Sequence, residues 1–198
     1  MAIASITPGK FKTGPGLIRY APLGTTIPTF TAVASKVVAT PNWTNWVAVG
    51  STDEGMTYSE STDTENVTAA ESAYPVKTIT TGKAGTISFA MNEIDDLNWK
   101  LACNGGTITT TGASTTKINK FIPPLVGSEV RVMLAFQGQD DDEVLIWPQV
   151  FNSGGFETAR GTLAQKGLLP VSFSVELPDP AVLTTPYERF TTGNLATF

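Results

Sequence analysis

The chain has 198 residues, a net charge of −5 and 41% hydrophobic residues, enough length and apolar content to bury a core. The acidic balance and a charged fraction of only 16% argue against gripping nucleic acid, which rests on clusters of Lys and Arg. With no histidine and a single cysteine, the chain excludes Ser-His-Asp and Cys-His nucleophile systems, histidine metal centres, a structural zinc site and an internal disulfide.

Abundant threonine with frequent Gly and Pro favours β structure. Residues 1–42 read as an N-terminal arm, because Pro8, Pro15, Pro22, Pro28 and Pro41 recur too often to sustain a ladder. Its scattered apolar residues (Phe11, Leu17, Ile18, Leu23, Ile27, Phe30, Val33) predict that it lies on a protein surface, its own domain's or a neighbour's. Trp43 to Val49 alternates as a strand, and Gly50 to Gly55 has turn chemistry. Met56 to Ser61 is a second strand. Ser61 to Ala73 is polar and acidic without periodicity, so residues 59–74 are expected to form a long loop of the kind that is functional when ordered.

Val76 to Thr81 and Thr86 to Met91 are predicted strands around a turn at Gly82 to Gly85, with Ile87, Phe89 and Met91 facing in. A helix is expected over about 93–103. Asn92 caps it, Glu93, Asp95 and Asp96 suit the positive end of its dipole, and Ile94, Leu97 and Leu101 form one apolar stripe. Asn104-Gly105-Gly106 ends it. Strands follow at Thr107–Thr111 and near Lys117–Ile122. Glu129 to Gln137 then pairs with Val144 to Phe151 as a hairpin around Asp140-Asp141-Asp142, with Pro148 marking an edge or a bulge. Phe156 to Ala164 is a weaker strand. Val171 to Leu177 is the last, with Val171, Phe173, Val175 and Leu177 in and Ser172, Ser174 and Glu176 out. Residues 178–198 read as a C-terminal arm, apolar at Phe190, Leu195 and Phe198.

Catalytic, metal and cofactor sites are not expected. Asp140-Asp141-Asp142-Glu143 lacks the alternating spacing of a calcium loop and reads as a solvated hairpin tip. Asp53-Glu54 reads as a turn and Asp95-Asp96 as dipole charge, not as acid–base pairs. Gly82 and Gly85 do not form a phosphate loop. Cys103 reads as a small buried apolar residue. No run approaches the roughly 20 apolar residues of a membrane span, and MAIASITPGKFKTG has no apolar signal region.

Val49, Gly50, Thr52, Glu54, Gly55 and Thr57 form a V-G-x-T-x-E-G-x-T strand–turn–strand, followed by an acidic stretch. Then come a T-G-x-x-x-x-I-x-F strand (Thr81, Gly82, Ile87, Phe89) and an acid-started helix with Leu97 and Leu101. This pattern resembles the major tail protein, or tail tube subunit, of long-tailed, non-contractile bacteriophages. The resemblance covers about a third of the chain directly. It implies a mainly β fold of two packed antiparallel sheets, a β-sandwich or barrel, with one flanking helix and extended arms. One domain is expected over 1–198, with a β core at 43–177 and no appended immunoglobulin-like domain.

The resemblance further implies a homo-oligomer. Six subunits form a ring whose strands close into one barrel, and rings stack through the long loop and the arms. DNA passes down the lumen without specific binding. Glu60, Asp63, Glu65 and Glu71 are then the inter-ring loop residues. Ser172, Ser174 and Glu176, or Glu129 and Arg131, are candidates to face the lumen. Implied partners are tape measure, tail terminator and baseplate proteins, in a virion tail assembled in the host cytoplasm. The residues leave two rivals open: another phage ring protein (terminator, baseplate or head decoration) and an adhesive β domain.

Overall fold

Strands dominate the computed structural model, which describes residues 15–34, 36–40, 43–140, 143–158, 166–179 and 184–192. The first four strands are β1 (Gly16–Pro22), β2 (Thr29–Val33), β3 (Lys36–Thr40) and β4 (Val47–Ala48). Two long strands follow, β5 (Thr52–Val67) and β6 (Lys77–Met91), then helix α1 (Asp96–Ala102). The rest are β7 (Thr107–Thr111), β8 (Ile118–Ile122), β9 (Val132–Gly138), β10 (Glu143–Asn152), β11 (Leu169–Val175) and β12 (Glu188–Thr191).

The main sheet has the antiparallel order β4-β1-β9-β10-β11-β6-β5. β12 pairs with the start of β10 (Val144↔Phe190) and β11 with its end (Asn152↔Phe173). β2–β3 and β7–β8 are separate two-stranded sheets. One face of the main sheet buries Ile18, Ile87, Phe89, Leu134, Trp147 and Phe173 under Leu101 and Ala102 of α1. The other face buries Ala21, Met133, Ala135, Val144 and Ile146 under Val37 and Phe30 of the β2–β3 sheet, Trp43, Trp46 and Phe190. The packed antiparallel sheets expected from the sequence are therefore present.

Tyr58 on β5 and Trp147 on β10 have ring centroids 5.3 Å apart, although β11 and β6 lie between their strands. A flat sheet would hold those strands roughly 14 Å apart, so the sheet curls around the first core.

Several expectations are corrected. Residues 16–34 and 36–40 are not an arm: β1 lies inside the sheet between β4 and β9, and β2 pairs with β3. Pro22 and Pro28 fall at strand boundaries, so the prolines interrupt no ladder. Residues 1–14 of that arm lie outside the described residues. Trp43 to Val49 is a strand only at Val47–Ala48, because Trp43 (φ 30°) and Asn45 (φ 66°) turn the chain. Glu129 and Arg131 precede β9, whose two faces are both covered. Leu177 follows β11 and is exposed. Residues 156–158 are not strand, and 159–164 lie outside the described residues. The C-terminal segment contributes β12, while Leu195 and Phe198 lie outside the described residues.

The helix starts later than expected. Its N-cap is Asp95, whose carboxylate accepts the Asn98 N–H at 2.7 Å, rather than Asn92. Glu93 instead turns back and accepts the Ser51 N–H at 3.0 Å. The buried face carries Asn98, Leu101 and Ala102, while Leu97 points to solvent. Asn98 is satisfied because its side-chain amide donates to the carbonyls of Val49 and Glu93, both at 2.8 Å.

The β9–β10 hairpin forms as expected, and its register shifts between Trp147 and Val150 around Pro148. Asp140 lies in its turn, whereas Asp141 and Asp142 lie outside the described residues.

Candidate assembly surface

The polar stretch expected to be a loop is the outer half of a long hairpin. β5 pairs with β6 from Thr52↔Met91 to Val67↔Lys77. The turn expected at Gly82 to Gly85 falls inside β6, and the chain reverses between Val67 and Val76, where the Val76 N–H donates to the Val67 carbonyl at 2.8 Å. Gly85 is needed for close approach rather than for a turn: a Cβ there would sit 3.1 Å from Val175. The outer strands lack apolar alternation because neither face is covered; residues 59–81 are all exposed.

β11 supports β6 only from Gly85 to Met91. Beyond that point Lys77 to Ala84 continue for roughly 27 Å at strand rise. Among the described residues β5 has no strand on its outer side. The projection thus offers two unpaired edges, which a free domain would have to protect. A two-stranded ribbon alone is marginal in water.

Local contacts stiffen it. Glu60 accepts from the Tyr58 hydroxyl at 3.0 Å and from Lys83 Nζ at 3.2 Å. Those two hydrogen bonds, Tyr58 first, hold the Glu60 carboxyl below its usual range. Burial, then the Glu60 carboxylate, pushes the Tyr58 phenol well up. Asp63 faces Gly82 at a register shift, Glu65 faces Ile79, and Glu71 sits in the reversal. The four loop acids are thus spread along the projection, and one of them is already paired within the chain. Tyr74 (80% exposed), Val76 (66%) and Val67 (47%) crowd the tip, and sequence reasoning passed over them. Their signal was apolar residues standing singly in a polar stretch.

The residues named as lumen candidates mostly share one surface. Ser172 and Ser88 hydroxyls lie 3.1 Å apart, and those of Ser174 and Ser153 2.6 Å apart. Cross-strand register extends these into two rows, Thr57–Ser88–Ser172 and Ser59–Thr86–Ser174. Phe151 continues the second row, and the Arg131 guanidinium lies 4.9 Å over its ring. Arg131 Nε donates to Glu176 at 3.1 Å, and Gln149 Nε2 donates to the same oxygen at 2.8 Å. Candidates offered as alternatives are therefore partners. Glu129 stands apart, accepting the Gly127 N–H at 2.7 Å.

Partial burial alone would raise the Glu176 carboxyl, but its bonds from Gln149 and Arg131 outweigh burial and hold it below the usual 4.5. A lowered folded-state value stabilises the fold above pH 4.5, and that stabilisation is lost as pH falls through the lowered value. Thermal melts from pH 7 to 3 should therefore fall more steeply below pH 4.5 in the native chain than in Glu176→Gln. Parallel curves would show that the pair contributes nothing.

The sequence model of a family described as phage tail tube protein matches residues 10–148. The chain belongs to that family. The match takes in the whole projecting hairpin and the strands from β1 to β9. This tail tube protein is accordingly a structural component of a phage tail, not an enzyme, and its family implies assembly into a tube with other tail proteins. No curated protein matches the chain.

Proposed function

We propose that this tail tube protein self-assembles into stacked rings of six subunits, forming the conduit through which DNA leaves the virion. The observation that carries this reading is the β5–β6 projection, with its two unpaired edges and exposed tip. Edges of this kind are satisfied when neighbouring subunits add strands and close the sheet into a ring. The outer hairpin, with Glu60, Asp63, Glu65 and Glu71, then reaches the next ring.

The hydroxyl rows Thr57–Ser88–Ser172 and Ser59–Thr86–Ser174 suit the lumen. They are neutral and short, and they lie on a chain of net charge −5. Such a wall holds no phosphate-binding cluster, so a polyanion slides along it without sticking. Tape measure protein inside the bore, with terminator and baseplate proteins at its ends, complete the assembly in the host cytoplasm.

Negative-stain electron microscopy of the purified chain at high concentration tests this. Long tubes with an axial channel are expected. Isolated rings would transfer the chain to a terminator or decoration role, and monomers at every concentration would sink both readings.

A further inference from the structure

The tip has a counterpart elsewhere on the molecule. Strand directions and pairings locate it. β6 runs from the tip at Lys77 to Met91, and α1 follows it. The ladder places Leu169 beside Met91, Asn152 beside Phe173, Val150 beside Val175, Val132 beside Val150 and Pro22 beside Val132. The starts of β9 and β11 and the ends of β1 and β10 therefore all point away from the projection, and the Val130 N–H donates to the Asn104 carbonyl at 2.8 Å, which brings the approach to β9 against the end of α1.

There α1, β1, β4 and the approach to β9 enclose an open groove of about 540 Å³. Leu23, Val47, Leu97 and Val130 line it while remaining exposed, Leu101 forms its floor, and Lys100 stands at its side. An apolar groove left open to water marks a binding surface.

Resting on the reading that the hairpin joins rings, we infer that this groove receives the hairpin tip of a second copy. Tyr74 and Val76 are the apolar anchors, and Glu71 of the tip meets Lys100 of the groove. The tip lies beyond the unsupported outer hairpin and the groove beside α1, so they are separate surfaces of one chain and each copy uses both. A contact between unlike surfaces repeats without closing and builds an open stack rather than a pair. The apolar tip and the apolar groove hide each other's exposed surface, and the charges have opposite sign. The carboxylates of the projection then set register around the groove, while Tyr74 holds the joint.

The chain has one cysteine, so cross-linking is clean once Cys103→Ser removes it. Tyr74→Cys and Leu97→Cys are made on that background, mixed one to one, assembled and oxidised. A disulfide mapped to 74–97 is expected in the mixture, at least tenfold above either chain alone. Tubes without that bond would overturn the groove assignment and leave hairpin stacking standing. Tubes from a chain without the hairpin would overturn the stacking reading itself. If a cysteine chain forms no tubes, charge reversal decides. Glu71→Lys and Lys100→Glu should each lower tube yield several-fold at low salt and restore it when combined in one chain. Failure to restore overturns the pairing.

Discussion

Excising residues 64–81 and joining Asp63 to Gly82 through a two-residue Asn-Gly turn is expected to leave a folded chain that no longer makes tubes. Asp63 and Gly82 are register partners, so a tight turn closes the shortened hairpin without splaying it. The excised residues add nothing to either core, and the Tyr58–Glu60–Lys83 contacts remain. The melting temperature should therefore move by less than about 4 °C, equivalent to about 1 kcal/mol for a chain of this size.

Assembly should respond far more strongly, because rings multiply small losses. In the proposed six-subunit ring, about 1 kcal/mol lost per subunit becomes about 6 kcal/mol per ring-to-ring contact, roughly four decades in affinity. Sedimentation and electron microscopy should then show monomers or single rings under conditions where the native chain is expected to form tubes. Tubes of normal length would remove the hairpin from stacking. Deleting only 61–73 would be a poorer test, since it strips β5 from a β6 that still continues to Lys77.

Trp147→Ala should have the largest effect on the fold itself. The indole is fully buried where the curled sheet meets itself, against Tyr58 from β5. Removing a buried Trp costs about 3–5 kcal/mol through lost burial and the cavity left behind, a large part of the 5–15 kcal/mol typical of a domain. Urea titration should show that loss, and the melting temperature should drop by roughly 6–20 °C. A loss under about 1 kcal/mol would mean that the sheet does not depend on this contact to curl.

The elements legible in the sequence are those with one buried and one open face. In β11, Val171 and Phe173 are buried while Ser172 and Ser174 point out, and the inner half of β6 repeats this with Ile87, Phe89 and Met91. β1 was hidden for the opposite reason: Ile18 serves one core and Ala21 the other, so its pattern does not alternate cleanly. The outer hairpin was hidden because nothing covers either face, which leaves threonine, serine and acids without a period.

Site residues divide along the same line. The acids at 60, 63, 65 and 71 were visible as a cluster in one polar stretch, but nothing local revealed that Lys83 and Tyr58 already hold Glu60. Arg131 and Glu176 stand 45 positions apart in the sequence, Arg131 before β9 and Glu176 after β11. The sheet order brings them together.

By itself, the sequence determined that this chain is mainly β, that it has no histidine chemistry, and that the stretch from Val49 through the helix resembles a tail tube subunit. Composition and short motifs are local properties, and they survive without coordinates. Only the tertiary structure decided that the polar stretch is a projecting ribbon, that hydroxyls from β5, β6 and β11 align in rows, and that apolar residues of α1, β1 and β4 line one groove. These depend on strand order and register, which hydrogen bonds between distant segments set and no local pattern encodes.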